Sequence, residues 1–175
     1  MIRTRFVLAW LLAAVPGATV AQAPADFRKE ILLQFDASMD KFIQLAEAMP
    51  ADRFTWSPGE GVMQVGQVYM HVARYNYNYP STSLGMPAPA GIDLATMEAV
   101  REKAAVLKAL RESRDYVRAS AQKIDGQAWA KPTKLYGRDV PQWSVMLQLV
   151  AHMNEHLGQS IAYARMNKIV PPWSR

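Results

Sequence analysis

Four stretches of the chain repeat their apolar residues at steps of three and four, the spacing that places side chains on one face of an α-helix. They cover residues 26–49, 63–79, 91–124 and 141–167. Pro50 and Pro80 follow the first two stretches, and Asp125-Gly126 follows the third. Pro141 lies at the first turn of the fourth, where proline is tolerated. Four amphipathic helices of this length predict an all-α fold, a single four-helix bundle.

The segments between these helices are rich in proline and glycine. Asp93 is predicted to cap the third helix. Residues 126–140 form the longest connection, and we expect a short hairpin around Gly137. No internal repeat interrupts this organisation, so one domain accounts for the whole pattern.

The amino terminus has the pattern of a secretory signal peptide. Arg3 and Arg5 precede an unbroken apolar run over residues 6–15, and small residues follow it. The run is shorter than the roughly 20 apolar residues that span a bilayer, so we predict no stable membrane span.

The cleavage site is predicted after Ala21. Cleavage after Ala23 is the alternative, although Pro24 beyond the cut would hinder the peptidase. Residues 1–21 are thus the expected signal peptide and residues 22–175 the single mature domain. We expect export, to the periplasm, so the protein would meet any metal ion outside the cytoplasm.

Composition excludes several classes of site. The 175 residues contain no cysteine, which rules out disulfides, cysteine zinc sites, iron–sulfur clusters and thiol nucleophiles. The net charge is +5, and acidic residues are interspersed with the basic ones as on solvated helix faces. No basic stripe carries interleaved aromatics, so we predict no nucleic-acid partner.

Only three histidines occur in the chain, and all three lie within predicted helices. His152 and His156 are four residues apart on the fourth helix, a spacing that lets two imidazoles share one ion. His71 lies on the inward stripe of the second helix. Together they could form a three-histidine metal site with open positions, with Gln159 and Asn154 as outer hydrogen-bonding groups. The alternative is that they are hydrogen-bonded core residues.

The segment from His152 to His156 also fits the H-x-x-E-H pattern of one class of zinc peptidase. In that class Glu155 would be the general base, and an acidic ligand would follow downstream. No aspartate or glutamate occurs after His156, so we do not expect peptidase activity. Glu155 is expected to flank the site or to face solvent.

Three motifs resemble those of the DinB-like family. The segment M-P-A-D-R-F-T-W-S-P at residues 49–58 resembles its LPxExxxWxP loop. V-G-Q-V-Y-M-H at 65–71 resembles its first histidine motif, and H-M-N-E-H-L-G-Q at 152–159 its HxxxHxGQ motif. Residues 164–172 are similar to the tails of exported members. The resemblance covers nearly all of residues 22–175.

This resemblance implies a four-helix bundle with an unusual crossover order and a three-histidine metal site. Its ligands would be His71, His152 and His156. Family members are linked to damage and stress responses, some transfer low-molecular-weight thiols, and others are labelled metal-dependent hydrolases. An exported protein would not meet a cytoplasmic thiol pool, so the resemblance supports the site but does not assign the reaction.

Two functions are left open beside the core-histidine alternative. One is a metal-dependent hydrolase or transferase acting on an unknown small-molecule substrate, in which the ion acidifies water and polarises an oxygen. The other is a non-catalytic, stress-related metal-binding protein. Imidazole ligands favour Zn or Ni, with Mn or Fe as further candidates. Tyr75, one turn from His71, is the best aromatic candidate for lining a pocket at the site. For the assembly, the candidate is a homodimer.

Overall fold

The computed structural model describes residues 25–174, so the predicted signal peptide and both cleavage sites lie outside the described residues. Four long helices, one hairpin and four short 3-10 helices make up this part of the chain. The long helices are α1 (Ala25–Ala48), α2 (Val65–Leu84), α3 (Lys103–Lys123) and α4 (Trp143–Met166). The strands are β1 (Pro132–Leu135) and β2 (Arg138–Pro141). The 3-10 helices are Ala51–Arg53, Met97–Ala99, Ala128–Ala130 and Pro172–Ser174.

The four long helices form a bundle in which chain neighbours are not all spatial neighbours. Helix α1 packs against α3 and α4, and α2 packs against the same two. Helices α1 and α2 therefore lie diagonally across the bundle, and the connection between them crosses one end. The packing of the four helices confirms the predicted all-α four-helix bundle. The crossover connection places α2 and α4 side by side.

The bundle interior is filled by the apolar stripes that define the helices in the sequence. Side chains from all four helices are buried in one core. The largest of those that are fully buried include Phe35, Phe42, Leu45, Tyr69, Leu110, Met146 and Met153. Burying each such side chain contributes roughly 1.5–3 kcal/mol. The packed core therefore holds in place the two helices, α2 and α4, that carry the histidines.

Helix α2 continues through Pro80, where the sequence predicts its end. Proline inside a helix removes a backbone hydrogen bond and costs about 3 kcal/mol. Here Tyr79 and Pro80 are both buried, so packing offsets that cost. The hydroxyls of Ser81 and Thr82 also donate to carbonyls one turn back. Gly85, in the left-handed conformation with φ of 66°, ends the helix after Leu84.

The predicted third helix is divided into two parts. The side chain of Asp93 binds Ala95 N and Thr96 Oγ1 in a turn, and a 3-10 helix follows. Helix α3 begins only at Lys103, after Glu102 has accepted hydrogen bonds from two amides of its first turn. The prediction of one continuous helix is wrong because turn residues that pack on the core can keep a helical spacing without being helical.

A two-stranded hairpin confirms the expectation around Gly137. Leu135 pairs with Arg138, and Tyr136 and Gly137 both have positive φ, as a tight hairpin turn requires. Pro141 ends β2, so α4 begins two residues later than predicted. Within residues 25–174, none of the helices has the length and apolar character needed to cross a membrane.

Candidate metal centre

The three histidines come together between α2 and α4. Their candidate ligand nitrogens all lie within 4.8 Å of one another. The ring centroids of His152 and His156 are 4.6 Å apart, as expected for residues one turn apart on a helix. His71 reaches them from α2, with ring centroids 5.1 Å from His152 and 4.8 Å from His156.

Burial keeps His152 and His71 in the uncharged form that can donate a lone pair. His152 is only 8% exposed, and burial together with His156 and His71 lowers its pKa to about 3. Burial also lowers the pKa of His71, although the neighbouring Glu98 carboxylate partly opposes this shift. Both imidazoles are therefore neutral at pH 7.

Hydrogen bonds determine which nitrogen of two rings faces the cluster. His71 Nδ1 lies 2.9 Å from Glu98 Oε1, and His156 Nδ1 lies 2.8 Å from Gln159 Oε1. Each of these oxygens accepts, so each Nδ1 carries the hydrogen and each Nε2 has a free lone pair. This tautomer assignment follows from the hydrogen-bond network. Two rings thus present Nε2 as the donor for a shared ion.

Gln159 joins the cluster to the loop before α2. Its Nε2 donates to Tyr163 Oη at 3.0 Å, and the Tyr163 ring packs edge-on against Trp56 with centroids 5.6 Å apart. The side-chain amide of Gln159 is therefore oriented by hydrogen bonds at both its oxygen and its nitrogen. Gln159 is thus hydrogen-bonded to one histidine of the cluster and to Tyr163.

Tyrosines cover one side of the cluster. The Tyr75 ring centroid lies 4.6 Å from that of His71 and 4.8 Å from that of His152. Tyr79 packs edge-on against His152 at 5.7 Å, and its hydroxyl is hydrogen-bonded to that of Tyr136 at the hairpin tip. Burial and this hydrogen bond raise the pKa of Tyr79. Tyr75 is thus beside the site, and Tyr79 and Tyr136 extend the same wall.

Asn154 and Glu155 are directed elsewhere. Asn154 Oδ1 accepts from Ser38 Oγ at 3.1 Å, and its Nδ2 donates to the Val150 carbonyl at 2.9 Å. Its side chain therefore ties α4 to α1. Glu155 is exposed to solvent.

Glu98 is the functional candidate that sequence reasoning missed. It lies in the 3-10 helix between α2 and α3, and its carboxylate meets His71 and, at 3.5 Å, Arg74 Nη1. The sequence places it within a continuous third helix, off the apolar stripe. No local signal singles it out, because its position depends on how residues 85–102 fold back over α2.

The donor set fits a divalent ion. Imidazole nitrogens bind zinc at about 2.0–2.1 Å in a tetrahedral arrangement, so two ligands of one ion lie about 3.3–3.4 Å apart. The candidate nitrogens here lie within 4.8 Å of one another, so each separation would close by at most about 1.5 Å, a movement that side-chain rotation can supply. Burial that keeps His71 and His152 neutral also favours ligation, so these three histidines could bind a metal ion.

Comparison with known proteins agrees with this architecture. A crystal structure of a DinB-like protein from Bacillus cereus superposes with a TM-score of 0.72 and 14% sequence identity, covering 82% of this chain and 95% of that one. No curated protein matches the sequence. The family model described as the DinB superfamily matches residues 34–163, well over half of the chain. The chain belongs to the DinB superfamily.

Proposed function

We propose that this protein binds one divalent metal ion through His71, His152 and His156. The observation that carries the proposal is the convergence of all three ligand nitrogens within 4.8 Å, from two helices that the bundle places side by side. The lowered pKa values of His71 and His152 keep both rings ready to bind at neutral pH. Zn and Ni suit imidazole ligands best, with Mn or Fe as further candidates.

The activity we propose is that of a metal-dependent hydrolase or transferase acting on a small molecule. A divalent ion, when bound, supplies Lewis acidity that polarises a carbonyl or phosphoryl oxygen and acidifies water. Three neutral histidines leave the charge of the ion largely uncompensated. Tyr75 and Tyr79 pack against His152 on one side, and 16% of the His71 side chain is exposed to solvent.

A non-catalytic, stress-related metal-binding role is the second candidate, and one observation favours it. Catalysis of proton transfer needs an acid or base within hydrogen-bond reach of the substrate. Glu98 Oε1 is already engaged by His71 and Arg74, and Glu155 is exposed. Among residues 25–174, no other carboxylate is hydrogen-bonded to the histidine cluster. A protein that only stores or carries the ion would need no such group.

Elemental analysis of protein purified without chelator or nickel resin tests metal binding. We expect about one metal per chain, lost in His152→Ala and kept in Arg165→Ala, an exposed control on the same helix. Absence of metal, with no uptake of added Zn, Ni, Mn or Fe, would leave the histidines as core residues.

Turnover separates the two candidate functions. The metal-loaded protein is tested against panels of carboxylic esters, phosphoesters and thiol-transfer substrates. An enzyme would show activity that disappears in His152→Ala and on chelation. A full metal complement without turnover on any panel would support the non-catalytic role.

We also propose export to the periplasm, on the basis of the N-terminal pattern in residues 1–21. A carboxy-terminally tagged protein expressed in a Gram-negative host should appear in the periplasmic fraction, beginning at Gln22 or at Pro24. Retention of Arg3 and Arg5 in a cytoplasmic product would overturn this proposal.

A further inference from the structure

We propose that Glu98 is a positioning residue for the candidate ligand His71, an inference that rests on the proposed metal-binding function. Its carboxylate selects the tautomer and the orientation of the ring, so that Nε2 faces His152 and His156. The 3-10 helix Met97–Ala99 would then belong to the metal centre, although it contributes no ligand of its own.

The contact between the two side chains has the geometry of a charge-assisted hydrogen bond. His71 Nδ1 and Glu98 Oε1 are 2.9 Å apart, and the side chains are only 16% and 24% exposed. A carboxylate accepts and does not donate, so the hydrogen must lie on Nδ1. Partial burial strengthens the bond because water screens it less.

Two arginines hold Glu98 in place. Arg74 Nε donates to the Leu94 carbonyl at 2.7 Å, while its Nη1 approaches Glu98 Oε1. Arg101 donates to the backbone carbonyl of Glu98, and its Nε donates to Gln64 Oε1 at 2.6 Å. The segment is therefore fastened to the body of α2 and to the start of that helix. Arg101 thus holds the backbone at Glu98, and Arg74 lies beside its carboxylate.

The three rings differ in their outer hydrogen bonds. His71 has a charged acceptor, His156 has the neutral amide of Gln159, and no side-chain partner holds His152 among the described residues. A carboxylate on Nδ1–H raises the basicity of the opposite nitrogen, and losing such a group typically lowers metal affinity 10–100-fold. Of the three histidines, His71 should therefore be the one whose orientation depends most on a residue that is not itself a ligand.

Glu98→Ala removes the acceptor, and Glu98→Gln keeps an oxygen acceptor without its charge. Glu60→Ala is the matched control, since it removes one carboxylate from an exposed turn. The first measurement is the tautomer of His71 by ¹⁵N NMR of metal-free protein. The second is zinc affinity, measured by competition with a chromogenic chelator.

We expect the wild type to show one Nδ1–H tautomer of His71, retained in Glu98→Gln and mixed with the Nε2–H form in Glu98→Ala. Zinc affinity should fall 10–100-fold in Glu98→Ala, by less than tenfold in Glu98→Gln, and not in Glu60→Ala. A residue that only anchored the loop would change thermal stability but leave both measurements as in the control, and that result would overturn the proposal.

Two further outcomes distinguish failure of the proposed role of Glu98 from failure of the proposed metal binding. If Glu98→Ala does not fold, an Nε2–H tautomer of His71 in the wild type would still overturn the role of Glu98. If the wild type takes up no zinc, nickel, manganese or iron, the proposed metal function fails, whatever tautomer the metal-free protein shows.

Discussion

Acid should destabilise the metal-free protein through His152. The ring has a pKa of about 3 in the folded protein and about 6.5 when unfolded, because burial and the neighbouring His156 and His71 oppose its charge. Between these values the unfolded chain binds a proton that the folded chain does not. The part of the free energy of unfolding that depends on neutral His152 is therefore present above pH 6.5 and is lost as the pH falls towards 3.

The size of the effect follows from the two pKa values. A separation of about 3.5 units corresponds to about 5 kcal/mol at the acid limit, and to about 2 kcal/mol between pH 7 and pH 5. His152 is 8% exposed, so solvent screening reduces this little. Two kcal/mol is a substantial part of the stability of an ordinary domain.

Urea denaturation of chelator-treated protein at pH 7 and pH 5 measures this loss. His152→Gln is the reference variant because it removes the titrating ring and leaves the other ionisable groups in place. The wild type should lose about 2 kcal/mol more than His152→Gln over this interval. Equal losses in the two proteins would refute the argument that folding holds His152 neutral.

Three substitutions test the fold around the site. Gly66→Ala would place a Cβ 2.9 Å from Arg101 Cδ and 3.1 Å from the Phe54 carbonyl, so we expect a loss of about 1–3 kcal/mol by thermal or urea unfolding. Gly158→Ala meets nothing within 4 Å and should instead gain about 0.5–1 kcal/mol, because alanine favours a helix; a loss would contradict the open space. Glu102→Ala removes the cap of α3 and should cost about 1 kcal/mol, whereas an unchanged melting temperature would show that the cap contributes nothing.

Apolar spacing predicts the number and type of long helices because each one buries a stripe of that period. It predicts α1 and α4 to within two residues at each end. The predicted end of α2 at Pro80 is wrong, because burial offsets the energetic cost of a proline inside the helix. The predicted helix over residues 91–102 is also wrong, because turn residues pack against the core there without being helical. Both failures concern tertiary packing that overrides a local signal.

Some features of the candidate site are local in the sequence and predictable, and others depend on tertiary packing. The spacing of His152 and His156 is local, so the sequence predicts that they lie together. The distance from His71 depends on α2 and α4 being neighbours, which follows from the crossover of the bundle. Gln159 is one turn from His156 and is predictable, but Glu98 reaches His71 across 27 positions and is not.

X-ray absorption at the metal edge, on protein loaded with one equivalent of zinc, tests the central claim most directly. We predict three nitrogen scatterers at about 2.0–2.1 Å, with the multiple-scattering pattern of imidazole, falling to fewer in His71→Ala. A spectrum without the imidazole multiple-scattering pattern, or one unchanged by His71→Ala, would contradict a metal centre built from the three histidines.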